Sequence, residues 1–130
     1  MITKIENIFN VPIYLLSKDT QYDEVVAFIP EIRLDKDRFE EKIDNCGGYV
    51  MPICTQKCIK CGYIIQIFNY NINTIVHECV HILDFIIKDC SLTTTFDSTE
   101  YRAYFMGWLS DKILSYLGLS LQYEILSNKK

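Results

Sequence analysis

The sequence predicts a single α+β domain, and three observations lead to this prediction. The chain has 130 residues, which fits one domain. Hydrophobic residues make up 49% and charged residues 23%, so the chain can bury a core and is not expected to be disordered. Short β-rich and helical segments occupy the first half, and two long helical patterns follow. This order is typical of a small antiparallel sheet or hairpin packed on helices.

The N-terminal part contains three predicted elements. Residues 11–16 (VPIYLL) are apolar and predict a short strand. Residues 22–29 fit either a helix or a strand, and Pro30 ends whichever forms. Residues 35–44 (DKDRFEEKID) predict a short exposed helix, whose charges most simply form a solvated face. Nothing in residues 1–44 predicts a function.

A hairpin and a long helix are predicted next. Residues 49–53 and 63–70 are rich in β-formers and flank a cysteine-containing turn, so they predict two paired strands. Asn71 or Asn73 can cap the following helix, which extends to about Lys88. Apolar residues make the helix hydrophobic nearly all round, so it is predicted to be central and buried. Among them are Ile75, Val76, Cys79, Val80, Ile82, Leu83, Ile86 and Ile87.

A second long helix is predicted near the C-terminus. Ser98 or Thr99 can cap it, because both side chains accept hydrogen bonds from a first helical turn. The helical pattern continues to about Leu117, and Gly118 is expected to end the helix there. Its apolar and aromatic residues recur at helical spacing, which favours packing in the core.

Charge and hydropathy exclude several function classes. Seventeen acidic and thirteen basic residues give a formal charge of −4, so the basic surface of a nucleic-acid-binding protein is missing. No apolar run reaches the roughly 18–20 residues that span a bilayer. The N-terminus has no signal-peptide pattern. The expectation is therefore a cytoplasmic protein with neither a nucleic-acid nor a membrane partner.

The motif that carries chemistry is His77-Glu78-Cys79-Val80-His81, an H-E-x-x-H sequence. On a helix, residues i and i+4 lie on one face about 6 Å apart, so two imidazoles can converge on one cation. Glu78 then lies at the edge of that face and can reach a metal-bound water without ligating the metal. Both histidines of the chain are in this motif. The alternative is a buried histidine pair that is satisfied by hydrogen bonds.

A two-histidine site needs a third protein ligand, and no histidine remains to supply it. The acidic candidates downstream are Asp84, Asp89, Asp97, Glu100 and Asp111. Asp84 is too short to ligate from the same helix and is better suited to accept a hydrogen bond from a ligand imidazole. Glu100 is the best candidate, because the C-terminal helix can pack antiparallel on the helix that carries the histidines and direct Glu100 at the metal. The alternative is a solvated glutamate favoured by the helix dipole.

The H-E-x-x-H motif followed after eighteen residues by Glu100 resembles the gluzincin pattern of thermolysin-like peptidases and large zinc aminopeptidases. Residues 100–104 (EYRAY) are similar to the E-x-x-A-Y segment of very small zincin-like proteins, many of them encoded by phages or prophages. The resemblance covers residues 47–117. It implies a minimal zincin-like domain with zinc as cofactor, composed of a small sheet, an active-site helix and a glutamate-bearing helix. It does not imply a substrate.

The predicted function is a zinc-dependent hydrolase, most simply a metallopeptidase, in which Glu78 activates a zinc-bound water. Tyr104 is the candidate that stabilises the oxyanion and Tyr101 is second, although Tyr104 fits a core aromatic better. An extended peptide substrate is expected to pair with a free edge of strand 63–70. If the protein is encoded by a phage, the hydrolase would act in the cytoplasm of the host. The alternative function is a zinc-binding interaction module without catalytic activity.

Three cysteines lie close together in the predicted hairpin turn. Cys54, Cys58 and Cys61 have a spacing compatible with a structural zinc site, although a fourth ligand is missing. A disulfide that includes Cys58 is a second interpretation, and free thiols in a turn are the favoured one. The third functional hypothesis follows from these residues, namely a structural zinc domain in which the histidine motif is incidental.

Overall fold

A computed structural model describes residues 1–7, 9–57, 59–90 and 96–128. The elements are β1 (Ile2–Ile5), β2 (Ile13–Leu16), α1 (Tyr22–Phe28), β3 (Ile32–Arg33), α2 (Lys36–Asn45), β4 (Gly48–Thr55), β5 (Lys60–Ile67), α3 (Ile72–Asp89) and α4 (Phe96–Asn128). The helices and the mixed sheet confirm the α+β class. The chain divides into two compact units, Met1–Asn69 with the sheet and Tyr70–Lys130 with α3 and α4.

The sheet has the strand order β1-β2-β5-β4-β3. The predicted hairpin is confirmed as the antiparallel pair β4–β5. Strand β2 pairs with β5 in parallel, whereas β1–β2 and β3–β4 are antiparallel. The sheet is therefore larger than the predicted hairpin, and one of its pairs is parallel.

Strand β5 lies inside the sheet, and this corrects one prediction. Its partners are β2 on one edge and β4 on the other. The parallel neighbour approaches closely at Gly62, which has φ +143°, and the N–H of Tyr63 donates to the carbonyl of Pro12 at 3.0 Å. Strand β5 was predicted to offer a free edge to a peptide, and this is wrong because both of its edges are already hydrogen-bonded.

Helices α1 and α2 cover one face of the sheet. Helix α1 begins with a capping box formed by Gln21 and Glu24, which settles residues 22–29 as helical. Helix α2 begins after Asp35, whose side chain accepts from the N–H of Arg38 at 3.1 Å, and it confirms the predicted exposed helix. The core of this face consists of Tyr14, Leu16, Val25, Ile29, Ile32, Phe39, Tyr49, Met51, Ile53 and Ile64.

A buried glutamine links the sheet to the turn after β2. The Gln66 side chain is fully buried, and its amide donates to the carbonyls of Ser17 at 2.9 Å and Thr20 at 3.3 Å. Its carbonyl accepts from the hydroxyl of Tyr49 at 2.6 Å. Burial raises the pKa of Tyr49, so its phenol stays protonated and keeps donating. The side-chain polar groups of Gln66 are thus paired, as buried polar groups require.

Helix α3 begins where the sequence predicted. Asn71 caps it, and the Asn71 side chain accepts from the N–H of Asn73 at 2.8 Å. The expectation that α3 is buried all round is wrong, because Val76 and Val80 are exposed. One face alone is packed, and it carries Ile75, Glu78, Cys79, Ile82, Leu83 and Ile86.

Helix α4 is longer than predicted at both ends. It begins at Phe96, so Ser98 and Thr99 lie inside it and do not cap it, and it continues through Gly118 to Asn128. Within their unit, α3 and α4 pack antiparallel. The Cys79 thiol is hydrogen-bonded to the Ser110 hydroxyl. At the end of α3, Cys90 lies near Tyr101, and burial together with the Cys90 thiol raises the pKa of Tyr101. Among the described residues, no helix combines the length and apolar character that crossing a membrane requires.

Candidate metal centre

The two histidines of the motif face each other on the exposed side of α3. Nε2 of His81 lies 3.1 Å from Nε2 of His77. The ring centroids are 4.7 Å apart and the ring planes are inclined at 79°. Both side chains are accessible, with 67% of the His77 side chain exposed. The helix spacing alone produces this approach, as the motif predicted.

The imidazole pair matches the spacing of two nitrogens on one tetrahedral zinc ion. Zn–N bonds of about 2.0–2.1 Å at a tetrahedral angle place two nitrogens about 3.3 Å apart. The observed separation of 3.1 Å requires only a small adjustment of the rings. The alternative of a buried histidine pair is wrong about burial, because both rings are exposed, whereas the two Nε2 atoms do lie at hydrogen-bonding distance from each other. Two of the three predicted ligands are therefore suitably placed for a cation.

Glu78 is buried beside the exposed pair. The residue is only 6% exposed. One of its carboxylate oxygens lies 3.9 Å from Nε2 of His77. This places a carboxylate next to the nitrogen of His77 that faces His81, at the edge of the face on which both imidazoles lie. The arrangement suits a base that acts next to a metal without binding it.

Glu100 is not brought to the imidazoles. It is exposed in the second turn of α4, and its neighbour Tyr101 lies near Cys90 at the end of α3. Cys90 is nine residues beyond His81, or roughly 13 Å along a helix axis at about 1.5 Å per residue. Among the residues that the structure describes, no three His, Cys, Asp or Glu side chains form a group that could hold a metal ion.

The remaining predicted site residues lie on exposed surfaces. Asp84 is exposed on α3. Tyr104 is 79% exposed, so the favoured interpretation of this residue as a core aromatic is wrong. Burial and the Cys90 thiol raise the pKa of Tyr101, the second oxyanion candidate. The tyrosines are accessible to a ligand, and their role in catalysis stays a prediction.

The cysteine cluster is partly described. Cys58 lies outside the described residues, whereas Cys54 and Cys61 are free, partly buried thiols. Burial, the Glu31 carboxylate and the Cys54 thiol together raise the pKa of Cys61. Glu31 stays near the hairpin because its carbonyl accepts from the N–H of Gln56 at 3.2 Å. Sequence spacing could not find Glu31, since it precedes Cys54 by 23 residues and approaches through strand pairing.

Comparisons with known proteins do not identify a family. A scan against protein-family models found no match, and neither the curated proteins nor the solved structures yielded one. The assignment of a function therefore rests on the motif and on its geometry.

Proposed function

We propose that this protein is a zinc-dependent hydrolase that cleaves peptides. The observation that carries the proposal is the exposed His77–His81 pair, whose nitrogens are spaced for one zinc ion. When bound, zinc supplies Lewis acidity and lowers the pKa of a bound water toward about 7. Glu78, whose carboxylate lies 3.9 Å from Nε2 of His77, would accept the proton of the attacking water. It then passes the proton to the leaving amine.

Glu100 is proposed as the third ligand. Because it lies away from the imidazoles in this structure, ligation by Glu100 requires the first turns of α4 to shift along α3. Glu100 is exposed, so no packed contact of its own side chain has to be broken. Tyr104, one turn later and also exposed, is the proposed oxyanion partner.

The proposed substrate is a peptide in an extended conformation, with its scissile carbonyl at the exposed imidazole pair.

A non-catalytic zinc-binding module is the second candidate function. The position of Glu100 favours it, because two imidazoles can hold a metal without forming the three-ligand set of a catalytic zinc site. Both candidate functions require the histidines to bind zinc. They differ in turnover, because only the hydrolase cleaves peptides and needs Glu78 to do so.

The experiment compares wild type and four variants on a broad peptide library after incubation with zinc. Wild type is expected to cleave, and Glu78→Gln is expected to keep its zinc and lose about 10²- to 10⁴-fold in rate, the usual contribution of a general base. His77→Ala should lose the zinc. Glu100→Gln should bind zinc more weakly, whereas Glu40→Gln removes an exposed glutamate of α2 and should behave like wild type.

The outcomes separate the candidates. Zinc binding without turnover in wild type contradicts the hydrolase and favours the binding module. Unchanged zinc affinity in Glu100→Gln contradicts its role as a ligand.

A further inference from the structure

A row of accessible side chains runs along the side of α4 that faces away from its packed residues. Residues at intervals of four form a ridge on a helix surface. The members of this row, which we call the α4 ridge, are Glu100, Tyr104, Trp108 and Lys112. Tyr104 is 79% exposed, the two charged residues are exposed and Trp108 is partly exposed. Core packing therefore does not account for two aromatic rings that stand between an acid and a base.

The order of side chains along the α4 ridge is complementary to its own reverse. When the ridge of a second copy runs antiparallel beside it, Glu100 faces the partner's Lys112, and Tyr104 faces the partner's Trp108. Each pair occurs twice, because the twofold axis of such a dimer passes between Tyr104 and Trp108. Ridges of this type interdigitate in the commonest class of helix packing. In a parallel arrangement each charge would face its like, which is unfavourable.

The aromatic and basic parts of the α4 ridge are already held in place. The Trp108 ring packs on buried Phe105, with centroids 5.7 Å apart. Nζ of Lys112 lies 6.0 Å from the centroid of the Trp108 ring on the other side of the sequence. Side chains that are ordered before association lose less conformational entropy when they associate. The ridge is therefore a preorganised surface.

The other charges of this part of α4 lie off the ridge. Asp111 is exposed, but it precedes Lys112 directly and is therefore displaced by about 100° around the helix axis. Arg102 is only partly exposed, and its Nε atom is buried. The formal charge of −4 makes two copies repel each other at long range. Local complementarity of the ridge, and not overall attraction, must therefore bring two copies together.

We propose that the α4 ridge is the interface of an antiparallel homodimer of this chain. The Tyr104–Trp108 pairs at its centre supply the residue types that dominate binding energy at interfaces. The Glu100–Lys112 pairs at its ends fix orientation and register. Four side chains per copy cover much less than the roughly 800 Å² per partner of a standard interface, so the dimer is weak and depends on concentration. The inference involves no metal and does not rest on the proposed function.

Sedimentation equilibrium of the full-length protein tests the dimer, with EDTA present to remove metal ions. Wild type is expected to dimerise between micromolar and near-millimolar concentrations. Glu100→Lys and Lys112→Glu should each weaken the dimer about tenfold or more, because like charges then face each other at both ends. The double exchange Glu100→Lys/Lys112→Glu restores opposite charges and should return the dissociation constant to within about threefold of wild type.

Two controls separate the ridge from general effects of charge and hydrophobicity. Glu40→Lys makes the same change of net charge on an exposed position of α2 and should not weaken the dimer. Tyr104→Ser should weaken it about tenfold or more, as for a central aromatic of an interface. Ile59→Ser, which removes an exposed aliphatic side chain outside α4, should leave it unchanged. Far-ultraviolet circular dichroism checks that each variant is folded.

The double exchange decides the proposal. A dimer that both single exchanges weaken, and that the double exchange restores, supports the antiparallel ridge. A protein that stays monomeric at every concentration overturns the proposal. A dimer that ignores the single exchanges, or that the double exchange fails to restore, also overturns it, because another surface must then hold the copies together. None of these results bears on zinc binding by the histidines, which is measured separately.

Discussion

Replacing Gly62 by alanine tests the close approach of β2 to β5, which places β5 inside the sheet. A Cβ at this position would lie 2.3 Å from the carbonyl oxygen of Pro12, a backbone atom that cannot rotate away. The φ of +143° is also one that L side chains rarely adopt. Backbone strain costs about 1–3 kcal/mol and overpacking about as much again, so we expect Gly62→Ala to destabilise the protein by about 2–6 kcal/mol.

The assay is urea unfolding followed by far-ultraviolet circular dichroism, and Gly107→Ala is the matched control. Gly107 lies inside α4, and a Cβ there meets nothing within 4 Å. The same substitution should therefore stabilise the protein by about 0.5–1 kcal/mol, the usual advantage of alanine over glycine in a helix. If Gly62→Ala unfolds at the wild-type urea concentration, or both variants lose the same stability, the close approach of β2 to β5 is incorrect.

Two further predictions concern buried side chains. Tyr49→Phe leaves the buried carbonyl of Gln66 without its donor and should cost about 1–3 kcal/mol in urea unfolding. Because burial raises the pKa of Tyr49 above its usual 10.0, stability should fall as the pH rises through and beyond 10, and the variant should lose less there; equal alkaline losses would contradict this. Burial raises the pKa of Cys79 to about 11, so iodoacetamide at pH 8 should alkylate exposed Cys90 first, as peptide mass spectrometry can show. Rapid alkylation of Cys79 in the folded protein would refute its burial.

Local signals predicted the elements that depend on local interactions. Helix α3 and its Asn71 cap follow from the periodicity and from a side chain that bonds to the next turn. The hairpin and α2 were also predictable, because β-formers and a capping aspartate act over a few residues. The spacing of His77 and His81 belongs to the same class, since the helix alone brings their nitrogens together.

Elements that depend on distant partners were not predictable. Strand β3 has only two residues, and its pairing with β4 across more than twenty residues defines it. Strand β1 and the parallel β2–β5 pair are of the same kind. Gly118 was predicted to end α4, but the helix continues past it. A glycine inside a helix costs only about 1 kcal/mol, which the remaining helical residues can offset.

In the candidate site, too, features set by local interactions were predictable and features set by distant partners were not. The composition of α3 did not reveal which aliphatic side chains lack a packing partner, so the exposure of Val76 and Val80 was missed. Glu100 was predicted from its spacing to the motif, whereas its position depends on how α4 lies along α3. The identity of the third ligand is therefore a question about helix register, which the spacing of residues does not determine.

X-ray absorption at the zinc K-edge tests the central claim most directly. Zinc-loaded wild type should show two imidazole nitrogens at about 2.0–2.1 Å, further oxygen or nitrogen neighbours, and no sulfur. The imidazole signal should disappear in His77→Ala. Sulfur neighbours at about 2.3 Å, retained in that variant and lost in Cys54→Ser or Cys61→Ser, would place the metal at the hairpin and contradict the account.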